Sequence, residues 1–354
     1  MDRPSILELS SDQLKQWLSD QGEPSYRARQ IRAGVLGRGI TQFDQLTDLP
    51  LSLRSLLEEA FVLRSTTITT HRRDSDGTEK LLLRLADGND IECVLLREKD
   101  RRTLCMSTQV GCAMGCVFCA SGLAGLTRNL KAGELIEQML RTRELLGSEE
   151  RLSHIVVMGM GEPLQNLDAL LPALSVACSK EGLGLSARHI TISTVGLPAK
   201  IDRLADHGKP YHLAVSLHAP NETLRQQIVP MARQIPFDQL VAASDRYRRQ
   251  TGRQVTFEYV MLAGINDSLA DAKQLSRLLR GRDAMVNLIP FNPVTGLPYR
   301  TPAAEQVNDF ADHLRRSGVV VHVRKRKGSK IDAACGQLRR AKLQEQASLV
   351  QLTT

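Results

Sequence analysis

The chain has 354 residues, of which 42% are hydrophobic and 24% are charged. This length suits one barrel-sized domain and a smaller one. No apolar run approaches the roughly 20 residues that cross a bilayer, which excludes a membrane-spanning protein. No apolar stretch typical of a secretory signal opens the chain, so we expect a cytoplasmic protein. Lys and Arg number 47 against 39 Asp and Glu, a formal charge of +8 that favours an acidic partner such as RNA.

Residues 1–75 predict a small N-terminal domain of short helices. Three arginines are spaced along one of its helical segments: Arg27, Arg29 and Arg32. Two interpretations stay open, namely a basic domain that docks RNA and a solvated cap on a larger domain. Residues 76–102 contain two strand-like runs on either side of Asp87-Gly88-Asn89, which predicts a connecting β-hairpin.

From residue 103 the sequence alternates between strand-like and helix-like runs, and we assign 103–345 to the main domain and 346–354 to a C-terminal tail. Six or so strand–helix units predict an α/β fold with a parallel sheet and right-handed crossovers. Periodicity alone leaves a partial barrel and a doubly wound sheet open. In such folds, ligands collect at the carboxyl ends of the strands.

The seven cysteines are odd in number, and this argues for free thiols rather than a disulfide framework. Three of them, Cys112, Cys116 and Cys119, have the spacing C-x3-C-x2-C after the first strand of the main domain. Three thiolates on a [4Fe–4S] cluster leave one iron free to bind a substrate. The alternative is a zinc site that a distant His or Cys completes.

Small and polar residues follow the later strands at the points where those strands end. Gly161 and Glu162 belong to a loop at 159–163 whose glycines permit close approach of a ligand to the backbone. The polar residues after the next strands are Ser193, Ser216, His218 and Asn292. Each alone could be a strand-end cap, but their repetition predicts one site ringed by loops.

A dense basic run at 324–330 comes shortly before the isolated Cys335. A run of this kind is usually a solvated segment. Its position beside a cysteine in a loop of small residues also fits a segment that holds RNA phosphates. Both interpretations stay open.

Several motifs carry a resemblance to a known family. They are TLCMSTQVGC at 103–112, MGMGEP at 158–163, HITIST at 189–194 and SLHAP at 216–220, with Cys335 near the C-terminus. Together with the cysteine triad they resemble the RlmN/Cfr family of radical S-adenosylmethionine (SAM) RNA methyltransferases, over about residues 5–340. The resemblance is strongest to the branch that methylates C2 of adenine-2503 in 23S rRNA and, in some bacteria, C2 of adenine-37 in tRNA.

This resemblance implies a (β/α)6 partial barrel that binds a [4Fe–4S] cluster through Cys112, Cys116 and Cys119. It also implies a set of SAM contacts at Gly161, Glu162, Ser193, Ser216, Leu217, His218 and Asn292. Two SAM molecules would be used per turnover. A small electron-transfer protein would supply reducing electrons.

The implied mechanism answers a chemical difficulty, because adenine C2 is electron-poor and does not attack a SAM methyl group directly. Cys335 would take a methyl group from one SAM, and a radical generated from the second SAM would remove a hydrogen atom from that methyl group. The resulting carbon radical would add to C2. Glu92 would accept the C2 proton, and Cys105 would attack the sulfur of Cys335 to release the methylated base as a disulfide forms.

Three alternatives remain open on the sequence. The C8-methylating, Cfr-type branch of the same family uses the same apparatus at another carbon of the same adenine. A radical SAM enzyme that acts on protein would not need Cys105 and Cys335 as a pair. A zinc-containing RNA-binding module would not be an enzyme at all.

Overall fold

The computed structural model describes residues 3–338, so the predicted tail at 346–354 and the last predicted core residues lie outside the described part. The N-terminal region contains three α-helices, with a π-helical turn at Ala33–Arg38 after the second: α1 (Ser11–Asp20), α2 (Arg27–Arg32) and α3 (Leu51–Ala60). Ser10 begins α1 with a capping box, in which its hydroxyl accepts from Gln13 N–H and the Gln13 side chain accepts from Ser10 N–H. The helices bury Leu14, Leu18 and Leu53 against one another.

Four antiparallel strands follow the helices: β1 (Thr67–Arg73), β2 (Glu79–Arg84), β3 (Asp90–Glu98) and β4 (Arg101–Cys105). The predicted hairpin corresponds to β2 and β3, which pair from Glu79 opposite Leu95 to Arg84 opposite Asp90. The sequence interpretation missed β1. Its residues are Thr, His and Arg with one Ile and are mostly exposed, so it has no apolar alternation to reveal it.

Parallel strands extend this sheet into the main domain. They are β7 (His154–Val157), β8 (Ile190–Thr194), β9 (His212–Ser216), β10 (Val255–Met261), β11 (Ala284–Pro290) and β12 (Val320–Val323). A separate two-stranded ribbon consists of β5 (Gln109–Gly111) and β6 (Leu126–Asn129). The helices of the main domain are α4 (Ala132–Arg143), α5 (Leu167–Cys178), α6 (Pro198–Asp206), α7 (Glu222–Ile228), α8 (Phe237–Thr251), α9 (Leu269–Leu279) and α10 (Ala304–Arg316).

The strand order decides between the two folds that periodicity left open. The ten-stranded sheet has the order β1-β2-β3-β4-β7-β8-β9-β10-β11-β12, and neighbouring strands from β4 to β12 are parallel. A doubly wound sheet reverses its strand order at a switch point, whereas this order never reverses. The predicted (β/α)6 partial barrel is therefore confirmed.

Two apolar clusters fill the molecule. The larger joins the N-terminal helices to the barrel strands and their outer helices. The smaller lies at the carboxyl end of the barrel, where Met114, Phe118, Ile228 and Phe291 pack together. The cysteine loop packs against this second cluster, so its residues contact buried side chains rather than projecting into solvent.

The N-terminal helices are attached to α4 by buried polar contacts. Glu137, which is fully buried on α4, accepts hydrogen bonds of 2.7–2.9 Å from the N–H and hydroxyl groups of both Ser65 and Thr66. Arg143 at the end of α4 donates to the carbonyl oxygen of Leu36. A buried carboxylate that loses its donors is costly, so these contacts fix the orientation of the N-terminal helices on the barrel.

Candidate active site

The cysteine loop leaves the first strand of the barrel and is held at its base by the β5–β6 ribbon. Cys112 N–H donates to Gly125 O at 3.1 Å, and Val117 N–H donates to Ile228 O at 3.1 Å. Gly115, between the first two cysteines, has φ +65°, a conformation that a side chain would disfavour. The loop therefore turns back on itself and brings Cys112, Cys116 and Cys119 to the edge of one cavity.

The three thiols lie near enough to affect one another. Burial raises the pKa of Cys112 to about 12, and the charge of Cys119 adds to this effect. Burial also raises the pKa of Cys119, which hydrogen bonds from Ser121 and Gly122 partly oppose. Among residues 3–338, no three His, Cys, Asp or Glu side chains converge on a point that a single metal ion could occupy.

This spacing suits a [4Fe–4S] cluster, in which each thiolate binds a different iron and the sulfurs need not converge. A charged group beside the loop supports the fit. Arg225 is 1% exposed, and its Nε and Nη1 atoms have no hydrogen-bond partner in the described structure. Burial lowers the pKa of Arg225 to about 10, and Cys116 opposes this lowering. Three thiolates beside a buried, unsatisfied guanidinium suit an anionic cluster better than a single zinc ion.

The loop after β7 packs directly against the start of the cysteine loop. Glu162 is buried, and its carboxylate accepts hydrogen bonds from Val195 N–H at 2.9 Å and from Leu164 N–H at 3.0 Å. Burial raises the pKa of Glu162 to about 6. The side chain thus ties the end of β7 to the end of β8, and only its remaining lone pairs face the cavity.

Gly161→Ala is expected to lower the free energy of unfolding by about 3 kcal/mol. Gly161 has φ +103°, and an added Cβ would lie 2.5 Å from Gln109 Cβ, so both backbone strain and a clash arise. Gly264→Ala is the matched control, because Gly264 has φ +73° but open space around it, and we expect a loss of about 1 kcal/mol. Urea denaturation followed by circular dichroism measures both variants. Equal losses would contradict the close packing inferred at Gly161.

Most of the residues predicted to contact SAM line the cavity that the three cysteines reach. These are Gly161, Glu162, Ser193, Ser216, His218 and Asn292. Leu217 differs, since its side chain is fully buried in the large apolar cluster and does not line the cavity. Leu217 N–H donates to Glu258 O, so its contribution is to align the end of β9 with β10.

His218 has a left-handed backbone conformation with φ +58°, which is uncommon outside glycine. Its Nδ1 accepts from Val260 N–H at 3.0 Å, and its ring meets the edge of Phe118 with centroids 4.7 Å apart. Burial lowers the pKa of His218 to about 3, so the imidazole is neutral at physiological pH. The residue therefore presents a neutral ring to the cavity rather than a positive charge.

A second, larger cavity of about 680 Å³ adjoins the first. Cys105 on β4, Cys335 and Cys119 all line it, as does the basic segment at 324–327. The Cys335 side chain is exposed, and its backbone oxygen accepts from Asn292 Nδ2 at 3.1 Å. The structure therefore brings the two isolated cysteines together beside the third cysteine of the triad.

Arg324 lies among the reactive groups of the larger cavity. The charge of Cys335 is the largest cause of a raised pKa of Arg324, and Glu258 and Cys105 contribute in the same direction. Burial raises the pKa of Cys105 to about 12, while Arg324 acts to lower it. Arg324 is therefore a positive charge placed to favour a thiolate on Cys105, and it lines the same cavity as Cys335.

Glu92 does not line either cavity. It lies on β3 with its carboxylate 2.9 Å from Lys80 Nζ, and both side chains are about 5% exposed or less. Val94 and Leu96, two and four residues further along the strand, line the larger cavity. Because alternate residues of a strand share a face, Glu92 faces the same side and lies deeper.

Sequence interpretation missed Glu258 and Arg225. Glu258 lines the smaller cavity, and its Oε2 atom is buried without a hydrogen-bond partner among the described residues. The sequence does contain a signal for Glu258, because a carboxylate within the largely apolar run VTFEYVM of β10 is rare without a function. Arg225 had no such signal, since an arginine on a short helix is ordinarily exposed.

The partial barrel, the thiol loop after its first strand and the glycine loop after its second define a radical SAM enzyme. Family models agree: that of the Radical SAM superfamily matches residues 106–275, and that of the Ribosomal RNA large subunit methyltransferase N-terminal domain matches residues 5–63.

Two curated relatives and one solved structure show the family to which this chain belongs. A protein of Rhodopirellula baltica named "Probable dual-specificity RNA methyltransferase RlmN" is 57% identical over 95% of this chain and 90% of its own length. A protein of Symbiobacterium thermophilum with the same name is 45% identical over 96% of this chain and 92% of its length. A radical SAM methyltransferase from Sphaerobacter thermophilus has a TM-score of 0.92, at 45% identity over 95% of this chain and 99% of that one. The chain belongs to the RlmN family of radical SAM RNA methyltransferases.

Membership of this family implies a [4Fe–4S] cluster and SAM. It also implies an RNA substrate. No helix within residues 3–338 is long and apolar enough to cross a membrane.

Proposed function

We propose that the enzyme methylates C2 of adenine-2503 in 23S rRNA and C2 of adenine-37 in tRNA, with Cys335 as the carrier of the methyl group. The observation that carries this proposal is the shared cavity, which Cys105, Cys335 and Cys119 of the cysteine loop all line. A radical enzyme that acts without a protein-bound methyl group has no use for two further thiols there. The name "dual-specificity" of the relatives supports two RNA substrates.

In this mechanism the Cys335 thiolate attacks the methyl carbon of SAM, S-adenosylhomocysteine leaves, and Cys335 becomes a methyl thioether. Cys112, Cys116 and Cys119 would hold the cluster, which with a second SAM would supply the radical chemistry that removes one hydrogen atom from this methyl group. The methylene carbon on Cys335 then bonds to adenine C2, and Glu92 accepts the proton that C2 loses. Two SAM molecules are consumed in each turnover.

Release of the base is the task of Cys105. Its sulfur attacks the sulfur of Cys335, the bond from that sulfur to the methylene carbon breaks, and the carbon takes a proton to become the methyl group. A disulfide joins Cys105 and Cys335, and one surplus electron passes to an electron-transfer protein. A dithiol reductant returns the disulfide to two thiols with two electrons and two protons.

RNA binding is proposed for two basic regions. The segment Arg324–Lys327 lines the larger cavity, where its charges would face phosphates next to an extruded adenine. The N-terminal domain, proposed to extend over residues 1–75 with the hairpin at 76–102 as its connection to the barrel, would contact RNA farther from the target. Free thiols at all seven cysteines suit a reducing cytoplasm, where both RNA substrates occur.

Nucleoside mass spectrometry tests the proposal directly. Ribosomal RNA and tRNA from cells with and without the gene would be digested and compared with standards of 2-methyladenosine and 8-methyladenosine. We expect gene-dependent 2-methyladenosine in both RNA fractions. A signal in rRNA alone would remove tRNA from the substrates, and 8-methyladenosine would assign the chain to C8 chemistry. If neither RNA fraction contains a gene-dependent methyladenosine signal, the proposed target is refuted.

A further inference from the structure

The segment that carries Cys335 is held from one side by the β1–β2 hairpin. Gly328 N–H donates to Asp76 Oδ2 at 3.0 Å, and Lys330 N–H donates to Asp74 Oδ2 at 3.0 Å. These hydrogen bonds help lower the pKa of both aspartates. Packing is equally close, because a Cβ on Gly328 would lie 2.9 Å from the Thr78 methyl carbon.

Lys80 makes the third and deepest contact from this hairpin. Its ammonium donates to the backbone oxygen of Asp332 at 3.1 Å and pairs with Glu92 at 2.9 Å. Asp332 has φ +51°, a left-handed conformation that persists only where surrounding contacts impose it. One buried cation therefore joins the carboxylate on β3 to a strained residue three positions before Cys335.

The other side of the same segment is attached to the cysteine loop. Gly336 O accepts from Ala120 N–H at 2.8 Å, and Leu338 O accepts from the Ser121 hydroxyl at 2.7 Å. Cys335 thus lies between two attachments, one on the cluster-binding loop and one on Lys80. Loss of the Lys80 contact would leave Asp332 without the buried donor that holds it.

We propose that Lys80 is a positioning residue of the methyl transfer to RNA. It holds the Glu92 carboxylate and the Asp332 carbonyl together, and this fixes Cys335 relative to the group that takes the C2 proton. The inference rests on the proposed function, in which Cys335 carries the methyl group and Glu92 accepts the proton. Lys80 itself touches neither the base nor the reacting carbon in this role.

The test compares Lys80→Met with the wild type, with Lys15→Met as a matched control. Lys15 lies on α1, is half exposed and, among residues 3–338, forms an ion pair with Asp12 alone. Amide hydrogen exchange would be measured on the full-length, cluster-loaded enzyme, together with its steady-state methylation of unmethylated 23S rRNA. Removing a charged hydrogen-bond donor is expected to speed exchange across 328–335 by about ten- to hundredfold and to lower kcat by at least about tenfold. KM for RNA and exchange in the N-terminal helices should stay unchanged.

Several outcomes would overturn the proposal. Unchanged exchange at 328–335 would refute the attachment, and faster exchange with wild-type kcat would refute the positioning role. Faster exchange throughout the chain would indicate a general structural role instead. If Lys80→Met does not fold, Lys80→Gln replaces it, since glutamine keeps a hydrogen-bond donor but loses the charge that pairs with Glu92. Wild-type kcat in that variant would also refute the positioning role. A wild-type enzyme that makes no 2-methyladenosine would refute the proposed function, whereas the exchange data would still decide the attachment.

Discussion

Cys335→Ala is expected to reduce RNA methylation to below about one thousandth of the wild-type rate, because Cys335 is the proposed carrier of the methyl group. Of the seven thiols, three are assigned to the cluster, and Cys105, partly buried at the end of β4, is assigned to release of the base. Reductive cleavage of SAM to 5′-deoxyadenosine should continue, since it requires the cluster cysteines and not Cys335. Transfer of labelled methyl groups to RNA and release of 5′-deoxyadenosine would be measured in parallel.

Cys178→Ala is the matched control for this experiment. Cys178 is a partly buried thiol at the end of α5 and lines neither cavity of the active site. We expect wild-type methylation from this variant. Methylation by Cys335→Ala above one tenth of the wild-type rate would mean that the methyl group reaches RNA by another route.

Cys105→Ala is expected to trap the enzyme on its RNA as a covalent adduct. In the proposed mechanism Cys335 would still carry the methyl group and bond to the base, but the thiol assigned to attack its sulfur would be missing. Labelled RNA should therefore migrate with the protein on a denaturing gel, approaching one RNA per chain, while released product falls to background. Mass spectrometry after nuclease digestion should locate the added adenosine on the peptide that contains Cys335.

The double variant, with both Cys105 and Cys335 replaced by alanine, controls for adventitious crosslinks and should form no adduct. An adduct in that double variant would place the bond on another residue. Normal turnover by Cys105→Ala would show that a thiol from outside the protein releases the base. Either result would refute the role proposed for Cys105.

The sequence alone predicts the cluster site because the chemistry of such a site is local. Three cysteines within eight residues, with glycine at the turn, are visible without knowledge of the fold. The remaining site residues could be grouped because parallel strands end on the same edge of a sheet. The predicted barrel thus placed Ser193, Ser216 and Asn292 around one cavity, although they are far apart in the chain.

Long-range contacts could not be predicted in this way. The pair formed by Lys80 and Glu92 depends on the register between β2 and β3, and the contact of Lys80 with Asp332 spans 252 residues. Side-chain burial within a motif could not be predicted either, as Leu217 shows. Its motif neighbours Ser216 and His218 line the cavity, but its side chain is buried in the core, which a motif alone does not distinguish.

The buried contacts of Glu137 with Ser65 and Thr66 bear on how one enzyme would serve two RNAs. A flexible linker would let the N-terminal helices adjust to each substrate. Here the carboxylate, fully buried and hydrogen-bonded to both residues, holds the segment after the N-terminal helices against the barrel, and this would favour a single rigid template. A ribosomal segment and a tRNA loop would then be selected by whether they can adopt a common shape across a fixed span. The enzyme would then discriminate between RNA segments by how easily each one deforms, without a change in its own conformation.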